Sequence, residues 1–352
     1  MNNTPLFTII LAGYQTEPYL QKALDSVANQ TFRDFEAICY VEECTDNSLE
    51  ICRTMAERDS RFIASFGPKS GGVGATRNYG IEHASGEYLI VLDGDDWIMP
   101  DMLEKLANKL RQTGQLDVLS FAAVSTESED FELDQAPKLT NFSKADEDGV
   151  FSGLDAFRRI ARRSGGQFRA YTVLSTYRIA FLREHHLRQQ HGVMEDFEST
   201  PRIWYFAERM AYLDEIFYVY RRRANSLTTE ASARAIHDLA NQLRSLMNFA
   251  ADNPVPDDIL SIWSNQWISI LFWFMFHPVT SQKVSDTDRV QALNKLFVGE
   301  GKAQFLRILP HASRPKRLAK PLILLAAKGF LLPAKIYFSW FYYPMIERRG
   351  RK

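Results

Sequence analysis

Cysteine is scarce in this chain. Only Cys39, Cys44 and Cys52 occur in 352 residues, odd in number, close together and without metal-ligand spacing. A disulfide framework and a zinc knuckle are excluded, and reduced thiols in a cytosolic protein are expected. Net charge is almost absent too. The 42 Lys and Arg against 43 Asp and Glu leave −1, so no nucleic-acid partner is expected. Met1–Pro5 is polar and uncharged, and the apolar run Phe7–Ala12 has only strand length, so no signal peptide is expected. Internal repeats and low-complexity tracts are lacking. So are two nucleotide-binding signatures, the Gly-Lys-Ser/Thr of a Walker loop and a Gly-x-Gly-x-x-Gly after the first strand. His185, His186 and His191 lack zinc spacing.

What is present begins with regular alternation. Phe7–Leu11, Phe35–Val41, Arg61–Phe66, Tyr88–Leu92 and Leu116–Val124 read as strands. Glu17–Asn29, Asp46–Asp59 and Pro100–Gln112 read as helices between them, with Thr45 or Asp46 as a cap for the second, and the glycine-rich loop Lys69–Gly80 runs into a further helix through about His83. Strands separated by helices of this length imply βαβ units and an α/β fold with a mainly parallel sheet flanked by helices.

The chain is organised around Tyr88-Leu-Ile-Val-Leu-Asp-Gly-Asp-Asp-Trp97. A short apolar strand ends abruptly in Asp93, Asp95 and Asp96. In open α/β sheets ligands bind at the carboxyl ends of strands. Asp-x-Asp spacing suits Mg2+ or Mn2+ held together with substrate phosphates. The plainer alternative is a turn in which Asp96 or Asp101 caps the next helix, a task for one acid rather than three. Upstream, Gly71-Gly72-x-Gly74 precedes Arg77, one turn into a helix. Glycine loop, helix N-terminus and arginine together suit a diphosphate.

These stretches, in this order, carry a resemblance. Phe7-Thr-Ile-Ile, Tyr19-Leu-x-x-Ala-Leu-Asp-Ser-Val-x-x-Gln30, Thr45-Asp-Asn-Ser48, Gly71-Gly-Val-x-x-x-Arg77-Asn, Leu92-Asp-Gly-Asp-Asp-Trp97 and Pro100-Asp-Met-Leu resemble family 2 glycosyltransferases of the Rossmann-like GT-A fold. The resemblance runs from about Phe7 to Thr228. It implies a nucleotide-sugar donor, Mn2+ or Mg2+ at Asp95 and Asp96, and inversion at the anomeric carbon. It implies donor contacts at Ala12, Tyr14, Glu17, Glu42, Gly72, Arg77, Asp93, Gly94, Asp95 and Arg223. At Val193-Met-Glu-Asp-Phe-Glu198 it implies Asp196 as the base that deprotonates the acceptor hydroxyl, with Glu195 as its neighbour. An Asp at the start of the expected helix Ile203–Glu208 would otherwise read as a cap.

Two departures stand out. The family's base-contacting Asp falls on Glu42, which adds a methylene, although Tyr14 can still stack on a base. A histidine that often completes the metal shell is here Arg223, after the expected strand Ile216–Tyr220. An arginine clamps phosphate but cannot ligate a cation. A uridine donor is expected, and the third metal ligand stays open.

Three regions are expected: a catalytic domain at 1–228, a helical region at 229–313 and a basic tail at 314–352. Gly153–Arg163 reads as a helix with a basic, solvated end. Ala233–Ala251, Asp257–His277 and Asp286–Val298 read as helices, the second as a buried core helix rather than a membrane span. From Arg314 onward ten Lys or Arg face one acid, Glu347, and are interleaved with Leu322–Leu325 and Ile336–Tyr343. That pattern fits a helix lying in a membrane interface, with Trp340 and the tyrosines at headgroup depth. A basic helix packed on the protein or on a second subunit in a homo-oligomer is the alternative. The expected enzyme is an inverting glycosyltransferase, peripheral on the cytoplasmic face of a membrane, acting on a glycan or lipid-linked acceptor. The second reading is a scaffold that binds nucleotide sugar without turnover, and a nucleotidyltransferase is a third.

Overall fold

The computed structural model of the chain describes residues 4–70, 72–133, 135–164, 168–223, 232–276, 284–297, 302–303, 305, 319–329 and 331–337. Two compact units emerge. The first comprises residues 1–156, 169–191 and 203–223, the second 157–168, 192–202 and 224–352. The second unit therefore takes two stretches, Asp196 among them, from within the region expected to be the catalytic domain.

The first unit is built on one nine-stranded sheet. Its strands are β1 (Phe7–Gly13), β2 (Phe35–Glu42), β3 (Phe62–Gly67), β4 (Tyr88–Asp93), β5 (Trp97–Ile98), β6 (Val118–Thr126), β7 (Lys138–Leu139), β8 (Ser175–Arg178) and β9 (Met210–Arg221). They lie in the order β3-β2-β1-β4-β8-β6-β9-β5, with β7 on β6. From β3 to β4 every pairing is parallel. Beyond β4 the sheet is mixed, since β8 runs antiparallel to both β4 and β6 while β9 runs parallel to β6. Four residues of β8 and two of β5 are too short to leave a period in the sequence. Helices α1 (Glu17–Ala28), α2 (Ser48–Arg58), α3 (Gly74–His83) and α4 (Met102–Thr113) join the early strands as expected. One detail differs. Asn47 caps α2, and the Asp46 carboxylate accepts the Glu17 and Ser48 backbone N–H groups at 3.0 and 3.2 Å.

Strands β1 and β6 are buried along their whole length, and β4 is buried up to Leu92. That explains their continuous apolar runs: covered on both faces, they need no alternation. Chain order reverses between β1 and β4, which makes their carboxyl ends a topological switch point, the place where sheets of this kind open a crevice.

The second unit is helical. It holds α8 (Ala233–Asp252), α9 (Asp257–Phe276), α10 (Asp286–Leu296), α11 (Ala319–Ala327) and α12 (Leu331–Tyr337). Among the described residues, α9 alone is long and apolar enough to cross a membrane, but 88% of its apolar window is buried inside the protein. Several of its polar side chains are satisfied internally. Ser264 donates to the Leu260 carbonyl, and Gln266 exchanges two hydrogen bonds with the Phe168 backbone. Trp263 packs edge-on against Phe157, 5.8 Å between centroids. These contacts make α9 a core helix. Two more helices, α5 (Gly153–Ser164) and α7 (Asp196–Phe206), each contain a crossing of the chain between units, and α6 (Ile179–Glu184) follows β8. α7 begins seven residues before the helix start read from the sequence.

Candidate active site

The end of β4 folds back onto β1. Asp93 pairs with Ala12 across the sheet, and the Gly94 N–H donates to the Ala12 carbonyl at 2.9 Å. A Cβ on Gly94 would stand 2.6 Å from that carbonyl oxygen, so only glycine lets the turn close. The three acids that follow have three different fates.

Asp96 is 1% exposed. One of its carboxylate oxygens accepts the Tyr218 hydroxyl at 2.6 Å and the other the Arg221 N–H at 2.8 Å. Burial, then the charges of Asp95 and Asp93, push its pKa well above the ordinary carboxylate range. The expectation that Asp96 is a metal ligand is thereby corrected: it faces inward and ties β9 to the end of β4. Asp95 points to the mouth, its carboxylate 2.8 Å from the Arg223 Nε. The Asp93 carboxylate lies 3.6 Å from the buried Arg77 guanidinium.

Arg77 also donates to the Gln189 side chain at 3.0 Å, which fixes the arginine beside Asp93. Gly71 falls outside the described residues, and Gly72 accepts the Ser70 hydroxyl through its carbonyl. Glu42, expected to meet a nucleobase, is buried at the end of β2 and accepts both the N–H and the hydroxyl of Ser70. Its carboxylate thus anchors the start of the glycine loop. Glu17 likewise turns to a structural task. It accepts the Asn47 N–H at 3.0 Å and the Asn47 amide at 2.7 Å, bonds that hold its carboxyl below the usual range. Tyr14 is exposed at the end of β1, with the Lys69 ammonium bonded to its hydroxyl and 4.7 Å from its ring centroid.

Sequence reasoning missed Tyr218, Arg221 and Lys69. Arg221 donates its backbone N–H to Asp96, its Nε to the Asp95 carbonyl at 2.9 Å, and Nη2 to Glu129 at 2.6 Å. Its guanidinium lies 4.8 Å from the Tyr19 ring and 4.9 Å from Trp97. Strand alternation held the signal. In Arg221-Arg222-Arg223 the outer two share a face, while Arg222 turns away to Glu127.

The second acidic stretch, Glu195–Glu198, belongs to the second unit. Gly192 has φ +100° and Met194, unusually for a side-chain-bearing residue, φ +67°. The Val193 N–H donates to Asp238 of α8 at 3.1 Å. Glu198, fully buried, accepts the Ser245 hydroxyl of α8 at 2.9 Å and pairs with Arg202 at 2.8 Å. Burial raises its pKa, against the pull of Arg202. Asp238 and Ser245 stand two helical turns apart on one face, so α8 grips both ends of the segment. Between those grips Glu195 is buried, and Asp196 opens α7 half-exposed.

A doubly flanked sheet with acids and arginines at its switch point defines the GT-A class of fold. Residues 8–174 match the family described as glycosyl transferase family 2. That stretch, just under half of the chain, is similar to family 2 glycosyltransferases. It is 29% identical over 230 residues to the putative glycosyltransferase EpsH of Bacillus subtilis (strain 168), covering 64% of this chain and 63% of that protein. The match thus spans less than two thirds of that relative's length. S. aureus TarS 1-349, crystallised with UDP-GlcNAc, superposes with a TM-score of 0.70 at 20% identity, covering 95% of this chain and 91% of that one. The mannosyltransferase PcManGT of Pyrobaculum calidifontis, solved with GDP-Man and Mn2+, superposes with a TM-score of 0.50 at 15% identity, covering 96% and 88%.

Proposed function

We propose that this chain is an inverting glycosyltransferase that moves a sugar from a UDP-linked donor to a hydroxyl of a glycan or lipid-linked acceptor. The observation that carries the reading is the pairing at the switch point of two part-buried carboxylates, Asp93 and Asp95, with two guanidiniums, Arg77 and Arg223. The acceptor oxygen forms a bond to the anomeric carbon as the bond from that carbon to the diphosphate oxygen breaks. Asp196 takes the hydroxyl proton, a general-base task for one carboxylate. Charge left on the diphosphate is met by Arg77 and Arg223. Tyr14 offers a ring for the base, and the UDP-GlcNAc complex of TarS supports a uridine donor.

Among the described residues no three His, Cys, Asp or Glu side chains cluster to hold a metal. A site of one carboxylate, Asp95, completed by donor phosphates and water still fits Mg2+ or Mn2+. When bound, such a cation neutralises the leaving diphosphate. The Mn2+ complex of PcManGT supports this assignment. Thermal shift with UDP-GlcNAc, with Mn2+ or with chelator, tests it. Stabilisation by the donor with Mn2+ is expected, and a shift identical under chelation removes the cation from the reading.

A peripheral place on a membrane is also proposed. Leu325 and Leu332 of α11 and α12 are exposed. Lys335, by contrast, binds Asp286 of α10 at 2.8 Å, so one basic residue of the tail pairs with the protein. Trp340 and Phe338–Tyr343 lie outside the described residues. Co-sedimentation with anionic vesicles decides: full-length protein should pellet and a 1–313 truncation should not, and equal partitioning defeats the proposal.

A further inference from the structure

Two arginines of one strand end serve Asp95 in different ways. Arg221 is built in, bonded to Asp95, Asp96 and Glu129 and seated against Tyr19 and Trp97. Arg223 is held more lightly. Its contacts among the described residues are the 2.8 Å pair with Asp95 and the Tyr19 ring at 5.5 Å, and its side chain is 34% exposed against 19% for Asp95. A histidine in that place could be neutral and share a cation with the carboxylate. A guanidinium is always charged and always a donor.

We infer that Arg223 is the resident counter-ion of Asp95, and that a divalent cation replaces it there only in company with the donor diphosphate. The inference rests on the donor-site reading above. A cation arriving alone must break the ion pair and then sit beside a freed guanidinium, two positive centres a few ångströms apart. A diphosphate removes that penalty, because its oxygens take the place of the carboxylate beside the guanidinium. Cation and nucleotide must then bind cooperatively, each tightening the other by the same factor. The built-in Arg221 stays on the Asp95 carbonyl throughout and keeps the loop in place.

Mn2+ titration of the full chain, followed by electron paramagnetic resonance with and without saturating UDP, tests this. Wild type should bind Mn2+ weakly alone and more than about tenfold tighter with UDP. Arg223→Gln should bind Mn2+ alone about two- to fivefold tighter than wild type, the scale of a part-exposed ion pair, and lose most of the enhancement by UDP. Arg223→Lys keeps the charge and should behave as wild type, which separates charge from any change in folding. Unaltered Mn2+ affinity in Arg223→Gln, with the full enhancement by UDP retained, overturns the inference while leaving the donor site intact. If Asp95→Asn does not weaken the Mn2+–UDP complex, the donor-site reading fails and takes the inference with it.

Discussion

Asp93–Asp96 in the first unit and Glu195–Glu198 in the second are both acid-rich stretches, and both divide labour the same way. Each has its deepest carboxylate sealed in the interior, Asp96 at 1% exposure and Glu198 at 0%, and the second stretch buries Glu195 as well. Each leaves another carboxylate, Asp95 or Asp196, at a more open position. The sealed acid builds, and the more open acid is the one proposed to take part in the chemistry. They differ in their anchors. Asp96 is held by a hydroxyl and a backbone N–H, and among the described residues it has no salt-bridge partner. Glu198 carries Arg202 one turn along its own helix. The first stretch is thus neutralised at its mouth by arginines, while the second is clamped by α8. An acid in a motif is therefore not yet an acid in a mechanism, because burial decides which task it has.

The largest expected effect separates the two open acids. Asp196→Asn should lower turnover by roughly a hundredfold to ten-thousandfold, since the amide keeps the shape but cannot accept a proton. Donor binding, read by calorimetry with UDP, should be unchanged. Turnover near wild type would take Asp196 out of the mechanism and leave the second stretch purely architectural.

Asp95 and Asp96 should part next. Asp96→Ala leaves the Tyr218 hydroxyl and the Arg221 N–H buried without their acceptor and should cost about 2–4 kcal/mol in urea unfolding. Asp95→Ala should change stability by less than about 1 kcal/mol yet remove Mn2+-dependent donor binding. Equal losses of stability from the two would erase the distinction between sealed and open acids.

A smaller effect tests the clamp. Asp238→Ala frees the Val193 N–H and should lower kcat about tenfold through misplacement of the segment, with donor KM unchanged. Asp238→Asn should restore kcat, because the amide oxygen still accepts that N–H. Loss of donor affinity in parallel with kcat would mean that α8 supports the fold in general rather than this segment.

Much of this was legible without coordinates. Strands β1 and β4 announce themselves because burial on both faces removes alternation, and Asp93 at the end of such a strand could only lie at a sheet's carboxyl edge. The Asp-x-Asp stretch is readable for the same reason, Arg77 from the glycine loop before it, and Arg223 only through the family resemblance. What could not be read was direction and depth. Asp95 and Asp96 are adjacent and chemically identical, and only the long return of β9 with Tyr218 buries one of them. Glu42 and Glu17 match donor positions in the chain, but Ser70 and Asn47, 28 and 30 residues away in sequence, claim their carboxylates. Asp238 gave no signal at all. A single acid on an amphipathic helix looks solvated until the helix is docked.

The mildest prediction concerns the sealed acid of the second stretch. Burial raises the pKa of Glu198 above the ordinary glutamate value of about 4.3. The folded protein therefore keeps a proton there that the unfolded chain has already lost. The contribution to stability from this proton is fully present below the unfolded pKa and fades as pH rises through the folded one. Glu198→Gln cannot titrate, so that part of the pH dependence should vanish. Its absolute stability should also fall, because Arg202 loses its carboxylate. The slope, rather than the level, is the readout: urea midpoints between about pH 4 and pH 7 should decline more steeply in wild type than in Glu198→Gln. Parallel slopes would show that the charge of Arg202 cancels the effect of burial, and that Glu198, unlike Asp96, sits in the interior as a fully compensated anion.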